Sequence, residues 1–173
     1  MSDVVRRWRQ TAQLFSRHLE SIGPEQWAIA SPCSDWDVRQ LVEHAVGTQA
    51  YFASMLGVKP AANEWDNVRT AMEAVFADPN SLEVTVDVPG LGPMPATQIV
   101  EICINDLLLH TWDVARSIGT DETLPEPLAS ACLAWLKGLP EAVLRTGRYA
   151  EALPIDEAAN VQAQMLAFAG RQP

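Results

Sequence analysis

Residues Glu101–Gly119 read EICINDLLLHTWDVARSIG, and this stretch decides the fold. From Ala96 to Ile118 the chain is almost continuously apolar. It then meets Gly119, the residue type that best tolerates the left-handed turn closing a helix. The pattern predicts a central helix packed on several sides. Asp106, His110 and Asp113 interrupt its greasiest part. At 100° per residue, Asp106 and His110 lie about 40° apart and one turn removed, Asp113 lies within about 60° of His110, and Ser117 falls between them. Ile102, Ile104, Leu107, Leu108, Leu109, Trp112, Val114 and Ile118 hold the remaining circumference. An unpaired carboxylate on such a helix costs on the order of several kcal/mol, so it is protonated, ion-paired, metal-bound or facing a wet cavity.

Outward from this helix, the pattern stays helical. Val5, Trp8, Ala12, Phe15, Leu19 and Ile22 recur three and four apart, predicting a helix over about 3–22 that ends at Gly23-Pro24. In SPCSDWDVRQLVEHAVG, Ser34 reads as an N-cap with Asp37 at the third helical position and Cys33 and Val38 as flanking staple. The apolar face Val38, Leu41, Val42, Ala45, Phe52 and Leu56 then runs to Gly57. A weaker helix follows over 63–77. Alternating Leu82, Val84, Val86 and Val88 predict a strand turning at Pro89-Gly90, hence a short hairpin. Further helices are expected over 128–139 and 160–169. The sum is an all-α bundle with one small hairpin and short C-terminal helices, expected as one domain over residues 1–173.

The 173 residues carry Lys+Arg 12 against Asp+Glu 22, a formal charge of -10 with no basic cluster, which excludes nucleic acid and anionic membranes as natural partners. The first residues lack a secretory h-region, and no stretch reaches the length of a membrane span. The expectation is a soluble cytoplasmic protein. Three widely spaced cysteines, Cys33, Cys103 and Cys132, suggest neither a disulfide scaffold nor a thiolate zinc knuckle.

His44 stands at the border of the second helix's apolar face, near Thr48 and Tyr51, where it can look into a groove. With Asp106 and His110 it makes a facial set of two nitrogens and one oxygen for a divalent ion, leaving positions open for water or substrate. Each member also has a plainer reading: His44 as a groove histidine, and Asp106 with His110 as a helix pair. Asp113 reads either as an acceptor for an imidazole N–H or as a salt-bridge partner of Arg116 or Arg39. His18 reads as solvated, Cys103 as a buried small hydrophobe, and Cys33 as packing at a helix start. Trp27, Trp36, Trp65 and Trp112 read as core or as pocket walls. Glu101, nearly opposite His110, and Glu43, about 100° from His44, are not candidates.

SPCSDWDVRQLVEHAVG and NDLLLHTWDVARSIG, with a closing AFAGRQP, resemble the DinB-like superfamily, in particular the group with the metal-binding N-terminal domain of mycothiol-dependent maleylpyruvate isomerase. The resemblance spans essentially the whole chain. It implies a four-helix bundle binding a divalent metal between helices, zinc first, with nickel or iron as alternatives, at His44, Asp106 and His110. It also implies mycothiol or a related low-molecular-weight thiol as cosubstrate. The isomerase-like pattern has Glu where this chain has Asp106, a side chain one methylene shorter that bears on metal preference. The isomerase carries a further C-terminal domain, so isomerisation of maleylpyruvate is not carried over.

Three functions remain open on the sequence. The first is a metal-dependent enzyme activating a thiol or water for transfer, isomerisation or hydrolysis on a small electrophile. The second is a metal or small-ligand binding protein without turnover. The third is a structural protein in which Asp106 and His110 form only a buried pair; its abundant greasy faces leave a homodimer open.

Overall fold

Apolar spacing of three and four dominates the chain, and the computed structural model is accordingly mostly helical, with one two-stranded hairpin; it describes residues 2–33, 35–90, 92–144 and 149–173. Two compact units arise along the chain, Met1–Asp121 and Glu122–Pro173. The first contains α1 (Asp3–Glu20), a single 3-10 turn (Gln26–Ala28), α2 (Val38–Met55), α3 (Trp65–Ala77), the strands β1 (Thr85–Val88) and β2 (Gly92–Pro95), and α4 (Ala96–Ile118). The second contains α5 (Glu126–Gly138), the short α6 (Glu141–Leu144) and α7 (Val161–Phe168).

The core of the first unit draws on each of its long helices. Val5, Trp8 and Phe15 of α1 meet Leu41, Ala45 and Ala53 of α2, Val68 and Met72 of α3, and Ile99, Cys103 and Leu107 of α4. The Trp8 ring stands edge-on to Phe76 at 5.1 Å. One buried polar side chain bridges three helices of this core. Gln49 accepts from the Trp8 indole N–H at 3.0 Å and donates to the Cys103 carbonyl at 2.9 Å, linking α1, α2 and α4. Arg7 donates to both carboxylate oxygens of Glu101, so the residue opposite His110 on the helix is occupied far from the imidazole.

The central helix runs over the predicted span, and Gly119 closes it at φ 70. The start of α2 differs from expectation. Asp37 is the N-cap rather than the third helical residue: it accepts from the Gln40 N–H at 2.8 Å while the Gln40 side chain accepts from the Asp37 N–H at 3.0 Å. That reciprocal pair satisfies two backbone donors at once, so the helix begins at Val38; Ser34 itself lies outside the described residues. The hairpin is also shorter than the alternation suggested. Leu82 sits in a turn with a Glu83 N–H to Asn80 carbonyl bond, and pairing starts only at Thr85, opposite Pro95.

In the second unit, α5 begins at Glu126, with Pro127 in its first turn, where a missing N–H costs nothing. Asn160 caps α7 by accepting from the Ala163 N–H at 2.9 Å. Gln162 ties this helix to the segment before α5, accepting from the Leu124 N–H and donating to the Glu122 carbonyl, both at 2.8 Å. No helix among the described residues is long and apolar enough to cross a membrane.

Candidate metal centre

The loop before α2 folds back on itself. Ser31 N–H donates to the Trp36 carbonyl at 2.9 Å, Trp36 N–H to the Cys33 carbonyl at 3.1 Å, and Val38 N–H to the Ile29 carbonyl at 3.0 Å. Asp35 takes a left-handed φ of 74, a conformation that Asp tolerates better than most side chains. This tight return brings the Trp36 indole against the His44 ring at 4.6 Å, tilted by 41°, and to 6.4 Å from His110. It also aims the Cys33 side chain at α4.

From α2, His44 presents Nε2 to Asp106 Oδ1 at 3.8 Å; from α4, His110 presents Nε2 to the same oxygen at 3.6 Å. The two imidazoles are 5.1 Å apart and nearly perpendicular, at 85°. One ligand atom from each of the three lies within 4.8 Å of the others. The carboxylate–imidazole gaps are too long for good hydrogen bonds. They are close to the edge of a tetrahedron with bonds of 2.0–2.2 Å, about 3.3–3.6 Å. Asp106 Oδ2 is buried and has no hydrogen-bond partner among the described residues. A buried orphan carboxylate oxygen is unfavourable unless something cationic completes the site.

Electrostatics ties the three together. Burial pushes the Asp106 carboxyl up, yet the charge of His110 and the contacts to both imidazoles outweigh it and bring its pKa down to about 2. Burial disfavours the His110 imidazolium, but Asp106, followed by Asp113 and Cys33, more than offsets this and holds the ring well above the ordinary histidine value. Each of the two groups thus favours the charged form of the other.

Behind His110 lies Asp113, fully buried, whose Oδ2 stands 2.9 Å from His110 Nδ1. Of the two roles open on the sequence, acceptor for an imidazole N–H is the one this contact fills. The two suggested arginines stack on aromatic faces, Arg116 over Trp112 at 4.8 Å and Arg39 over Trp27 at 5.2 Å. The Cys33 thiol donates to the same Asp113 oxygen at 3.3 Å and is 4.0 Å from His110 Nδ1.

The structure therefore brings His44, Asp106, His110 and Asp113 to one place and adds Cys33 and Trp36, whose roles here no periodicity could reveal. Their only cue is closeness to His44 within one motif. Cys103 is buried, its thiol pushed well up by burial and by Asp106, and Glu43 is exposed. His18 is half-buried rather than solvated, with Thr120 Oγ1 at 3.3 Å from its Nδ1. Trp65 belongs to the core, edge-on to Phe15 at 4.9 Å and donating to Ser16 at 2.7 Å.

Comparison with known proteins bears on residues 8–74, which match the family model described as the mycothiol maleylpyruvate isomerase N-terminal domain. That span includes the motif with Cys33, Trp36 and His44, while Asp106 and His110 lie beyond it. Two uncharacterized proteins of Mycobacterium tuberculosis, from strains CDC 1551 and H37Rv, are each 27% identical over 98% of this chain and 98% of their own length. No solved structure matches. The resemblance is thus borne out over residues 8–74, which contain the first motif, while the second motif lies outside the matched span: the chain is similar to the mycothiol maleylpyruvate isomerase N-terminal domain family.

Proposed function

We propose that His44, Asp106 and His110 hold a divalent cation, and that the protein is a metal-dependent enzyme acting on a low-molecular-weight thiol of the mycothiol type, or on water, together with a small electrophile. The reading includes a DinB-like four-helix arrangement of α1 to α4, supported by the core these helices share, and a soluble cytoplasmic setting, supported by the acidic charge. One observation carries the metal assignment: the orphan Asp106 Oδ2, buried beside two imidazole Nε2 atoms that face its other oxygen. Two imidazoles and one carboxylate suit zinc, nickel and iron alike, with zinc first on the family resemblance.

When bound, such an ion supplies Lewis acidity, stabilising the anion of a thiol or water at neutral pH. The chain's own residues do the rest. Asp113 accepts the His110 Nδ1–H and fixes which nitrogen faces the centre. Trp36 braces His44, the most exposed of the three at 41%, and leaves that side as the approach for a small molecule.

Elemental analysis after metal-replete purification tests the site: at least one equivalent is expected, lost in His110→Ala and kept in His18→Ala. Uptake below about 0.1 equivalent, with none on titration, would refute the proposal. Turnover is tested with mycothiol and a panel of electrophiles, where metal-dependent thiol consumption above background is expected.

A further inference from the structure

His110 has two nitrogens, and the Nδ1 edge meets a second set of donors unlike the first. Cys33 Sγ, His110 Nδ1 and Asp113 Oδ2 lie within 4.8 Å of one another. Their separations are 2.9 Å for nitrogen to oxygen, 3.3 Å for sulfur to oxygen and 4.0 Å for sulfur to nitrogen. For a tetrahedral ion with bonds of about 2.0 Å to nitrogen and oxygen and about 2.3 Å to sulfur, the corresponding edges are about 3.3–3.5 Å. The three donors already stand within about half an ångström of that shape. The groups that hold them differ in character: Asp113 is fully buried, whereas Cys33 is only half-buried and gives an ion a way in.

We infer that Cys33, Asp113 and His110 Nδ1 form a second cation site, selective for a thiophilic divalent ion because it alone contains a thiol. In the metal-free protein two protons occupy the space: the thiol proton and the Nδ1 proton both point to Asp113 Oδ2. An S–H donor is weak, so exchanging it for a sulfur–metal bond sacrifices little. Binding releases both protons to solvent, and the dication takes their place. The site shares the His110 ring with the proposed His44 centre but needs neither His44 nor Asp106, so the two can fail separately. With both sites filled, His110 would also give up its Nε2 proton, each ring nitrogen then serving one site.

Titration of metal-stripped, reduced protein with Cd²⁺, followed by ultraviolet thiolate-to-metal charge transfer and by calorimetric stoichiometry, tests the site. Wild type should take two ions and develop the band. Cys33→Ser should lose the band and one equivalent. His44→Ala should keep the band and lose the other equivalent. Circular dichroism establishes that each variant is folded, and Cys33→Ala serves in place of Cys33→Ser should that variant fail. Absence of the band in wild type, or its persistence without Cys33, overturns the inference. Uptake of one ion, without a band and abolished by His44→Ala, removes this site and leaves the first standing. Uptake of one ion, with the band and indifferent to His44→Ala, removes the first site and leaves this one.

Discussion

His110 Nδ1 stands 2.9 Å from Asp113 Oδ2 while the opposite nitrogen of the same ring faces Asp106 at 3.6 Å. A carboxylate behind an imidazole fixes its tautomer and makes the far nitrogen a better donor to a cation. Asp113→Asn keeps the side-chain shape but weakens that effect. Zinc affinity at the His44 centre is expected to fall about 10- to 100-fold, without loss of stoichiometry. Competition against a chromophoric chelator in a Cys33→Ser background isolates this centre; unchanged affinity would mean that Asp113 has no part in it.

The same pair of contacts sets a pH dependence. His110 is raised above the ordinary histidine value, so its contribution to the stability of the metal-free fold is complete below its unfolded pKa and disappears as pH rises through the raised one. Asp106 is lowered to about 2, so its contribution is present above the unfolded value and vanishes as pH falls through about 2. The metal-free protein should therefore gain from both groups in mildly acidic solution. A cation needs the His110 nitrogen unprotonated and must displace its proton. Below the raised pKa, zinc affinity should fall about tenfold per pH unit for that single proton. Calorimetric titration in two buffers of different ionisation enthalpy should detect its release; a proton-independent heat would contradict this assignment.

The parts of the centre that share a helix were readable in the sequence, and the parts that cross the fold were not. Asp106, His110 and Asp113 obey one turn's spacing on a helix whose apolar run and closing Gly119 mark both ends. His44 could be paired with them only as a candidate in a second motif. Periodicity leaves Trp36 open between core and pocket wall, and Cys33 out of reach, because both depend on the backbone bonds that return Trp36 to Ser31 and Cys33, beside a left-handed Asp35, and Cys33 also on contacts across 77 and 80 residues. The start of α2 was missed for a related reason: Ser34 and Asp37 are both good caps, and the choice is made by Gln40 closing the box on Asp37. In the hairpin, the alternation of Leu82 and Val84 with Val86 and Val88 was real, but hydrogen bonds of the 78–83 turn claim the first part.

Gln49 tests how far the core depends on a polar connection. It is fully buried, accepts from the Trp8 indole and donates to the Cys103 carbonyl. Gln49→Leu fills similar space and leaves the buried Trp8 N–H without its acceptor, a loss expected at about 1–3 kcal/mol. Urea denaturation followed by tryptophan fluorescence should show the midpoint falling; a more stable variant would indicate that hydrophobic filling outweighs the lost bonds.

Gly170 offers a sharper test within the second unit. It ends α7 with a left-handed φ of 77, its N–H donating to the Ala167 carbonyl at 3.0 Å and the Arg171 N–H to the Leu166 carbonyl at 2.8 Å, the paired bonds of a Schellman close. A Cβ added there would lie 2.6 Å from the Ala150 Cβ and 2.9 Å from its carbonyl carbon. Gly170→Ala therefore combines a conformational cost of about 1–3 kcal/mol with overpacking of about 1–3 kcal/mol. The two are separable. Ala150→Gly removes the 2.6 Å contact but not the backbone strain, so Ala150→Gly/Gly170→Ala should recover part of the loss relative to the summed single variants. Thermal unfolding by circular dichroism measures the set; strict additivity would show that the Cβ–Cβ approach relaxes freely, leaving the left-handed backbone and the approach to the Ala150 main chain as the cost.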